Sequence, residues 1–186
     1  MGFQIQHLPK EQWQDYKLPM NYETSHYYDA QISGFNVRFV KKAFEEPVQR
    51  GGEANGDDRL YAPWWEGAEA YGVLENGALI ACVELWKENW SNRLRVTELW
   101  VADSHHRRGI GSALMDFAKQ YAKEQGCRAL MLETQSCNEN AIAFYLVQGL
   151  VLFGFDRCAY SNRDIENREV RLELGCYIDS ESEDSL

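Results

Sequence analysis

Two arginines and two glycines stand together just ahead of an amphipathic stretch, in the segment HHRRGIGSAL at residues 105–114. Because glycine carries no Cβ, Gly109 and Gly111 let backbone N–H groups approach an anion closely. A helix that begins there adds unpaired donors and partial positive charge, and Arg107 and Arg108 add full charges. The segment therefore predicts a phosphate site, most simply for a pyrophosphate. A tight strand-to-helix turn with solvated arginines is the alternative that this segment leaves open.

A second segment gathers aromatic and acidic side chains, namely Tyr61, Trp64 and Trp65 beside Asp57, Asp58 and Glu66. Ammonium groups are attracted both to aromatic faces and to carboxylates. The cluster therefore predicts a wall that binds a cationic amine. The alternative is an ordinary cap on the hydrophobic core, because most aromatic side chains serve packing.

The histidines and cysteines predict no metal site. His105 and His106 are adjacent in a loop with no second ligand pair nearby, so we place them at the loop surface or at the rim of a cofactor site. The five cysteines are widely spaced and lack a CxxC pattern. This spacing favours reduced thiols in a cytosolic protein.

Length and charge limit the class of protein. A chain of 186 residues with 45% hydrophobic content predicts one compact domain over residues 1–178, followed by a disordered acidic tail at 179–186. The net charge of −10 argues against nucleic acid as a partner and suits a cationic substrate. The start MGFQIQHLPKEQW lacks an apolar signal region, and no run of 18 apolar residues occurs. We therefore expect a cytoplasmic protein with no membrane partner.

The first half of the chain, which must position these residues, reads as strands. A short helix near Lys10–Lys17 is followed by the strand pair YYDAQI and FNVRFVKKAF, joined at Ser33-Gly34. Gln49–Asp58 is a polar loop. Three apolar segments then surround Asn76-Gly77 and Asn89–Asn92, and Asn-Gly is the strongest short hairpin signal. They predict an antiparallel meander.

The second half alternates helices and strands. Apolar residues at helical spacing predict a helix that ends near Gly126, with the buried face Ile110, Ala113, Leu114, Phe117, Ala118 and Tyr121. Residues 129–134 form a strand parallel to the one before that helix. Asn138 caps a helix that stops at Gly149, and two strands, LVLFGFDRCAY and REVRLELGCYI, close the chain around a polar turn at 161–167. The fold class is α/β (α+β), with a central mixed, mostly antiparallel β-sheet flanked by helices.

Two common nucleotide-binding patterns do not fit. A Rossmann fingerprint needs a third glycine where this chain has Leu114, and it opens a βαβ repeat instead of following a meander. A phosphate-binding P-loop needs GK[ST], which is absent.

Two segments instead carry a family resemblance. HHRRGIGSAL resembles the Q/R-x-x-G-x-G/A segment with which GCN5-related N-acetyltransferases (GNAT) hold the pyrophosphate of acetyl-CoA, and NENAIAFYLVQGL at 138–150 resembles their N-x-x-A-x-x-F-Y-x-x-x-G-F segment. The segments LETQSCN and GFDRCAY further resemble the streptothricin acetyltransferase branch. The chain departs at His106, where Gln or Arg is usual, and at Leu150, where Phe is usual. The resemblance implies an acetyl-CoA-binding core at 70–178 and a variable substrate-binding part at 1–66.

The resemblance implies transfer of an acetyl group from acetyl-CoA to a primary amine by direct attack in a ternary complex. Tyr145 is the expected proton donor to the leaving thiolate, since its ordinary pKa of about 10 exceeds that of a thiol; packing on the helix is its alternative role. The N–H near Trp100 or Val101 is the expected oxyanion donor. The implied acetyl-CoA-binding residues are Leu99, Trp100, Val101, His106, Arg107, Arg108, Gly109, Ile110, Gly111, Ser112, Ala113, Asn138, Ala141, Phe144 and Tyr145.

A protonated amine must lose a proton before it attacks. Glu98, in an otherwise apolar strand, is the favoured base, acting through water, and Glu84 on the neighbouring strand is the second choice. Pairing with Arg93 or Arg95, or a solvent-facing position, is the alternative for Glu98. The substrate-binding set comprises Tyr61, Trp64, Trp65 and Glu133.

Three functions compete. The first is an N-acetyltransferase acting on a small cationic amine, with an aminoglycoside-like or streptothricin-like antibiotic as the acceptor. The second is a protein or peptide N-acetyltransferase, which needs an open groove that residues 20–66 do not cover. The third is a non-catalytic acyl-CoA-binding regulator. A homodimer is a further expectation, because members of the superfamily often dimerise.

Overall fold

The computed structural model describes residues 3–51 and 58–178. The chain divides into two compact units: unit 1 takes Met1–Pro19, Gly56–Leu132 and Cys176–Leu186, and unit 2 takes Met20–Asn55 and Glu133–Gly175. These units do not coincide with the expected parts at 1–66 and 70–178. Asp57 and the acidic tail at 179–186 lie outside the described residues.

The strands are β1 (Gln6–Leu8), β2 (Tyr22–Ser33), β3 (Asn36–Arg50), β4 (Glu69–Glu75), β5 (Ala78–Glu88), β6 (Arg93–Val101), β7 (Ala129–Gln135), β8 (Val151–Asp156) and β9 (Arg171–Tyr177). The helices are α1 (Lys10–Trp13), α2 (Ile110–Glu124), α3 (Glu139–Val147) and α4 (Asp164–Asn167). Seven strands form a sheet in the order β1-β4-β5-β6-β7-β9-β8, and β2 and β3 form a separate pair. β6 and β7 are parallel, whereas β1–β4, β4–β5, β5–β6 and β8–β9 are antiparallel. The predicted fold class is confirmed.

Unit 1 contains the meander. Asn76 and Gly77 both have positive φ, 51° and 82°, as a two-residue hairpin turn of this type requires. Helix α2 packs against β5 and β6 and buries Ile110, Leu114, Met115, Ala118 and Ala122. The predicted buried face is thus shifted, because Ala113, Phe117 and Tyr121 are only half-buried.

Helix α2 ends near Gly126, as the sequence predicts. Gly126 N donates to Lys123 O at 3.0 Å and Cys127 N donates to Ala122 O at 2.9 Å, which is the pattern of a Schellman motif. Gly126 has φ +64°, a conformation that glycine adopts without strain.

Unit 2 is built around a small core of Ile142, Val170 and Leu172, against which Tyr28, Phe39 and Phe155 pack. The alternation of buried side chains in the last strand is confirmed, because Val170, Leu172 and Leu174 are all buried. The hairpin is longer than predicted: β2 begins at Tyr22, and β3 runs to Arg50, so Gln49 and Arg50 belong to a strand and not to the predicted loop.

Two elements differ from the sequence prediction at the end of the chain. β8 ends at Asp156 and not at Tyr160. The Asp156 and Asp164 carboxylates accept hydrogen bonds from the backbone N–H groups of Cys158 and Tyr160, each at 2.9 Å, so these N–H groups are used in a loop. The predicted polar turn contains the short helix α4.

Candidate active site

The glycine segment forms the start of α2 in unit 1. Gly109 is the residue before the helix, with φ +83° and ψ 1°, and its carbonyl accepts from Ala113 N at 3.0 Å. A Cβ added at Gly109 would meet no atom within 4 Å, so the positive φ, and not crowding, requires glycine here. Arg107 also has a positive φ, and Arg107 and Arg108 are exposed. The segment therefore presents an open helix N-terminus flanked by two cationic side chains.

The two histidines hold the loop before α2. His106 Nε2 donates to the carbonyl of Val101 at 2.8 Å, which ties the loop to the end of β6. His105 contacts Ser104 Oγ at 2.9 Å and Glu75 Oε2 at 3.2 Å. Within residues 3–51 and 58–178, no three His, Cys, Asp or Glu side chains come together as a metal site.

The strand β6 changes its pairing halfway along. Its register with β7 runs from Arg93 opposite Ala129 to Val96 opposite Leu132, and β6 then continues to Val101. On its other side β6 pairs with β5 along its length, except that Thr97 stands opposite no β5 residue. Such an extra residue is a β-bulge, which re-aims the side chains around it.

Glu84 and Glu98 lie directly opposite each other on β5 and β6. Opposed residues of an antiparallel pair share one face of the sheet, so both side chains project from the same face. Glu84 is fully buried and accepts hydrogen bonds from Tyr61 N and from Thr97 Oγ1. Burial raises the pKa of Glu84 above its ordinary value, and these hydrogen bonds offset only part of the rise.

Glu98 is half-buried, unlike Glu84. The alternative partners considered for it, Arg93 and Arg95, both lie beside Glu88: Arg93 forms an ion pair with this carboxylate, and Arg95 Nη2 is 3.8 Å from it. Cys82 shares the face of the two carboxylates. Burial first, and then the charges of Glu98 and Glu84, raise the pKa of its thiol well above the ordinary value.

The aromatic segment is partly core. Tyr61 is 2% exposed, and its hydroxyl donates to Leu8 O and accepts from Ala70 N, so its side chain follows the alternative interpretation of a core cap. Trp64 is 51% exposed, and the guanidinium carbon of Arg59 lies 5.4 Å from its ring centre. Trp65 is half-buried against Trp86, with the ring centres 5.1 Å apart. Trp64 thus presents an aromatic face that already attracts a cation.

In unit 2, α3 begins as predicted. Asn138 Oδ1 accepts from Ala141 N at 3.2 Å, which is an N-cap hydrogen bond. Phe144 and Tyr145 are both half-buried, and their rings contact each other at 5.4 Å. The helix ends in a second Schellman motif, in which Leu150 N donates to Tyr145 O at 3.1 Å.

Leu150, where the resemblance expects Phe, is 1% exposed. It occupies the position that commonly makes an apolar contact after this type of helix end, so the exchange keeps the packing role.

Glu133 lies at the surface of unit 2, and its Oε2 is 3.5 Å from Arg171 Nη1.

Sequence reasoning missed the neighbours of Glu139, the first residue of α3. Its carboxylate contacts Lys41 Nζ at 2.9 Å and His26 Nδ1 at 3.1 Å. The Lys41 ammonium is the main reason that the pKa of Glu139 lies below its ordinary value. An acid at a helix start is a recognisable signal, but its partners come from β2 and β3, far away in sequence.

Comparison with known proteins gives consistent matches. The model of the Acetyltransferase (GNAT) family matches residues 37–150. Streptothricin acetyltransferase A of Bacillus subtilis (strain 168) is 29% identical over 124 residues, which cover 67% of this chain and 70% of the relative.

Two solved structures share the fold over almost the whole chain. The crystal structure of nourseothricin acetyltransferase has a TM-score of 0.76 and 20% identity, covering 96% of this chain and 100% of its own. A putative streptothricin acetyltransferase from Bacillus anthracis str. Ames, in complex with acetyl coenzyme A, has a TM-score of 0.73 and 23% identity, covering 96% and 99%. No helix within residues 3–51 or 58–178 is long and apolar enough to cross a membrane.

Proposed function

Because the chain belongs to the acetyltransferase (GNAT) family, we propose that it transfers the acetyl group of acetyl-CoA to a primary amine of a small cationic antibiotic of the streptothricin class. The family match makes it an acetyl-CoA-dependent N-acetyltransferase. The observation that carries the acceptor class is the 29% identity to a streptothricin acetyltransferase over two thirds of the chain.

Two features of unit 1 suit acetyl-CoA, which when bound supplies an acetyl thioester. The exposed N-terminus of α2, with Arg107, Arg108 and the left-handed Gly109, offers backbone donors and positive charge to the pyrophosphate. The end of β6 beyond Val96, which continues past its pairing with β7, offers backbone groups to the pantetheine arm. Asn138, Ala141 and Phe144 complete the proposed set from the second motif.

Three groups carry the proposed chemistry. Glu98 takes the proton of the attacking ammonium through a water molecule, because its half-buried carboxylate can be reached from solvent. The backbone N–H of Trp100 or Val101 stabilises the negative charge that develops on the carbonyl oxygen. Tyr145 then gives a proton to the leaving sulfur. Trp64, Trp65 and Glu133 are the proposed contacts of the cationic acceptor.

The decisive experiment is an acceptor panel assayed by release of free CoA thiol, with mass spectrometry of the products. Nourseothricin, an aminoglycoside and a peptide with a free N-terminus represent the three acceptor classes. We expect nourseothricin to give the highest kcat/KM and a product with one added acetyl group. A higher kcat/KM for the peptide would replace the proposed acceptor, and acetyl-CoA binding without thiol release for any amine would favour a regulator.

The base is tested by the pH profile. In the wild-type protein kcat/KM should fall toward low pH as the base is protonated, and this fall is the acidic limb of the profile. Glu98→Gln should lose the acidic limb, since no carboxylate remains at this position to be protonated. Glu88→Gln is the matched control, because Glu88 is a buried carboxylate at the far end of β5 that is paired with Arg93. An unchanged acidic limb in Glu98→Gln contradicts the role of Glu98.

A cytoplasmic location and a homodimer remain predictions. Light scattering on the purified protein tests the dimer.

A further inference from the structure

Glu84 connects two parts of unit 1 through one carboxyl group. Its Oε2 accepts from Tyr61 N at 2.5 Å and its Oε1 accepts from Thr97 Oγ1 at 2.8 Å. The side chain has no exposed surface. Because a buried carboxylate is costly unless its oxygens are hydrogen-bonded, the two donors and the carboxylate form a set in which each member depends on the others.

The first donor fixes the segment that carries the tryptophans. Tyr61 has φ +57°, a left-handed conformation that bulky residues rarely adopt. Its N–H is held by Glu84, and its hydroxyl lies between Leu8 O and Ala70 N. Surrounding contacts therefore hold Tyr61 in a strained conformation, and the chain leaves this point toward Trp64.

The second donor fixes the bulge in β6. Thr97 is the extra residue of the bulge and directly precedes Glu98. A shift of one residue in strand pairing turns every side chain to the opposite face. The hydrogen bond from the Thr97 hydroxyl to Glu84 holds the bulge in one register, and in this register Glu98 lies opposite Glu84.

We infer that Glu84 is a positioning residue for acetyl transfer: by holding Tyr61 and Thr97 together, it sets both the segment that presents Trp64 and the bulge that presents Glu98. The inference rests on the proposed function, in which Glu98 is the base and Trp64 faces the acceptor. It assigns to Glu84 a role different from that of the second-choice base, because both of its oxygens already accept hydrogen bonds within the fold.

The titratable groups around Glu84 are Lys10 on α1, Tyr61 and Cys82. Glutamine keeps the size of the side chain but replaces one of its two accepting oxygens by an NH2 group, which only donates. Glu84→Gln therefore cannot accept from both Tyr61 N and Thr97 Oγ1 as the carboxyl group does. A positioning role predicts a fall in kcat/KM for the acceptor at an unchanged KM for acetyl-CoA, whereas a purely structural role predicts losses that follow the melting temperature.

The test compares Glu84→Gln, Thr97→Val and Thr97→Ser, with Glu88→Gln as the matched control for loss of a buried carboxylate on β5. Steady-state constants for nourseothricin and for acetyl-CoA, pH profiles and melting temperatures are measured for each. We expect Glu84→Gln and Thr97→Val to lower kcat/KM for the acceptor about tenfold or more, with the KM of acetyl-CoA changed by less than about twofold. Thr97→Ser, which keeps the hydroxyl, should retain the activity that Thr97→Val loses.

Each outcome bears on one proposal. If the acidic limb of the pH profile is lost in Glu98→Gln, and both Glu84→Gln and Thr97→Val are as active as Thr97→Ser, the positioning role of Glu84 is wrong while the base stands. If the limb survives in Glu98→Gln, the base is wrong, and the positioning of Glu98 falls with it. The control Glu88→Gln shows how activity falls with melting temperature alone. If the activities of Glu84→Gln, Thr97→Val and Thr97→Ser fall with melting temperature in the same way, Glu84 is merely structural. Thr97→Val keeps the test valid should Glu84→Gln fail to fold.

Discussion

Replacing Gly109 by alanine separates the role of the α2 N-terminus in binding from its role in folding. Gly109 has φ +83°, and a Cβ there would meet no atom within 4 Å, so alanine brings strain but no clash. Gly126 at the other end of the same helix has φ +64° and equally open space. Gly126→Ala is therefore a control with the same chemical change, the same helix and no expected contact with acetyl-CoA.

The magnitude follows from the backbone. A non-glycine residue in the left-handed region costs about 1–2 kcal/mol, and the smaller entropy of the unfolded alanine chain returns about 0.4–1 kcal/mol. The free energy of unfolding of each variant should thus fall by about 1 kcal/mol, which lowers the melting temperature by about 2–4 °C for a chain of this size. Only Gly109→Ala should also raise the KM of acetyl-CoA, by about tenfold if the relaxed backbone withdraws about 1.4 kcal/mol of binding.

The assay is thermal unfolding together with acetyl-CoA saturation curves at fixed acceptor concentration. If Gly109→Ala and Gly126→Ala have equal melting temperatures and only Gly109→Ala has a higher KM for acetyl-CoA, the result supports a pyrophosphate site at the start of α2. A KM that stays at the wild-type value in Gly109→Ala, or rises equally in both variants, would refute the assignment of the pyrophosphate to this helix start.

Three predictions concern α3 in unit 2. Asn138→Ala removes the N-cap bond to Ala141 and should cost about 1 kcal/mol in thermal unfolding, whereas Asn138→Asp, which keeps an acceptor, should cost less. Glu139→Gln should lower the melting temperature at pH 7, and this deficit should shrink as the pH is brought below 4.5: Lys41 lowers the folded pKa of Glu139, so the stabilisation is fully present above the ordinary value of 4.5 and is lost as the pH falls through the lowered pKa. Tyr145→Phe should reduce kcat about 100-fold in the thiol-release assay.

The outcomes that contradict these predictions differ. Equal melting temperatures of Asn138→Ala and wild type would mean that the cap contributes nothing. A Glu139→Gln deficit that is as large in acid as at pH 7 would place its cause in packing, since the contribution of the charge must decrease as the carboxylate is protonated. Full turnover in Tyr145→Phe would remove the proton donor, and Tyr177→Phe, at an exposed position outside the motifs, controls for the loss of a hydroxyl.

Local signals in the sequence predicted the elements whose ends are set by their own residues. The turn at Asn76-Gly77, the cap at Asn138 and the helix ends at Gly126 and Gly149 all depend on residues within a few positions of one another, and the structure has each in the expected place. The buried alternation of the last strand also follows from a pattern with period two.

The features that were missed depend on distant partners. β1 has three residues and exists through its pairing with β4, more than 60 positions away. Alternation could not decide which carboxylate is buried, because the bulge at Thr97 interrupts it and the donors to Glu84 come from two other segments. The enclosure of Tyr61 has the same cause, since its hydroxyl partners lie on β1 and β4.

The order in which unit 2 is assembled has a consequence for synthesis in the cell. Tyr28 and Phe39 belong to its first segment, whereas Ile142, Val170 and Leu172, against which they pack, belong to its second. At typical rates of translation the hairpin of β2 and β3 leaves the ribosome roughly ten seconds before these partners.

During this time Tyr28 and Phe39 lack the apolar side chains on which they pack in the folded unit, and the edges of the hairpin are templates for pairing with other chains. Charged residues and a proline interrupt the apolar pattern of β3, namely Lys41, Lys42, Glu45, Glu46 and Pro47. Such residues discourage strand addition. We therefore expect these residues of β3 to reduce aggregation of the nascent chain before its core is complete.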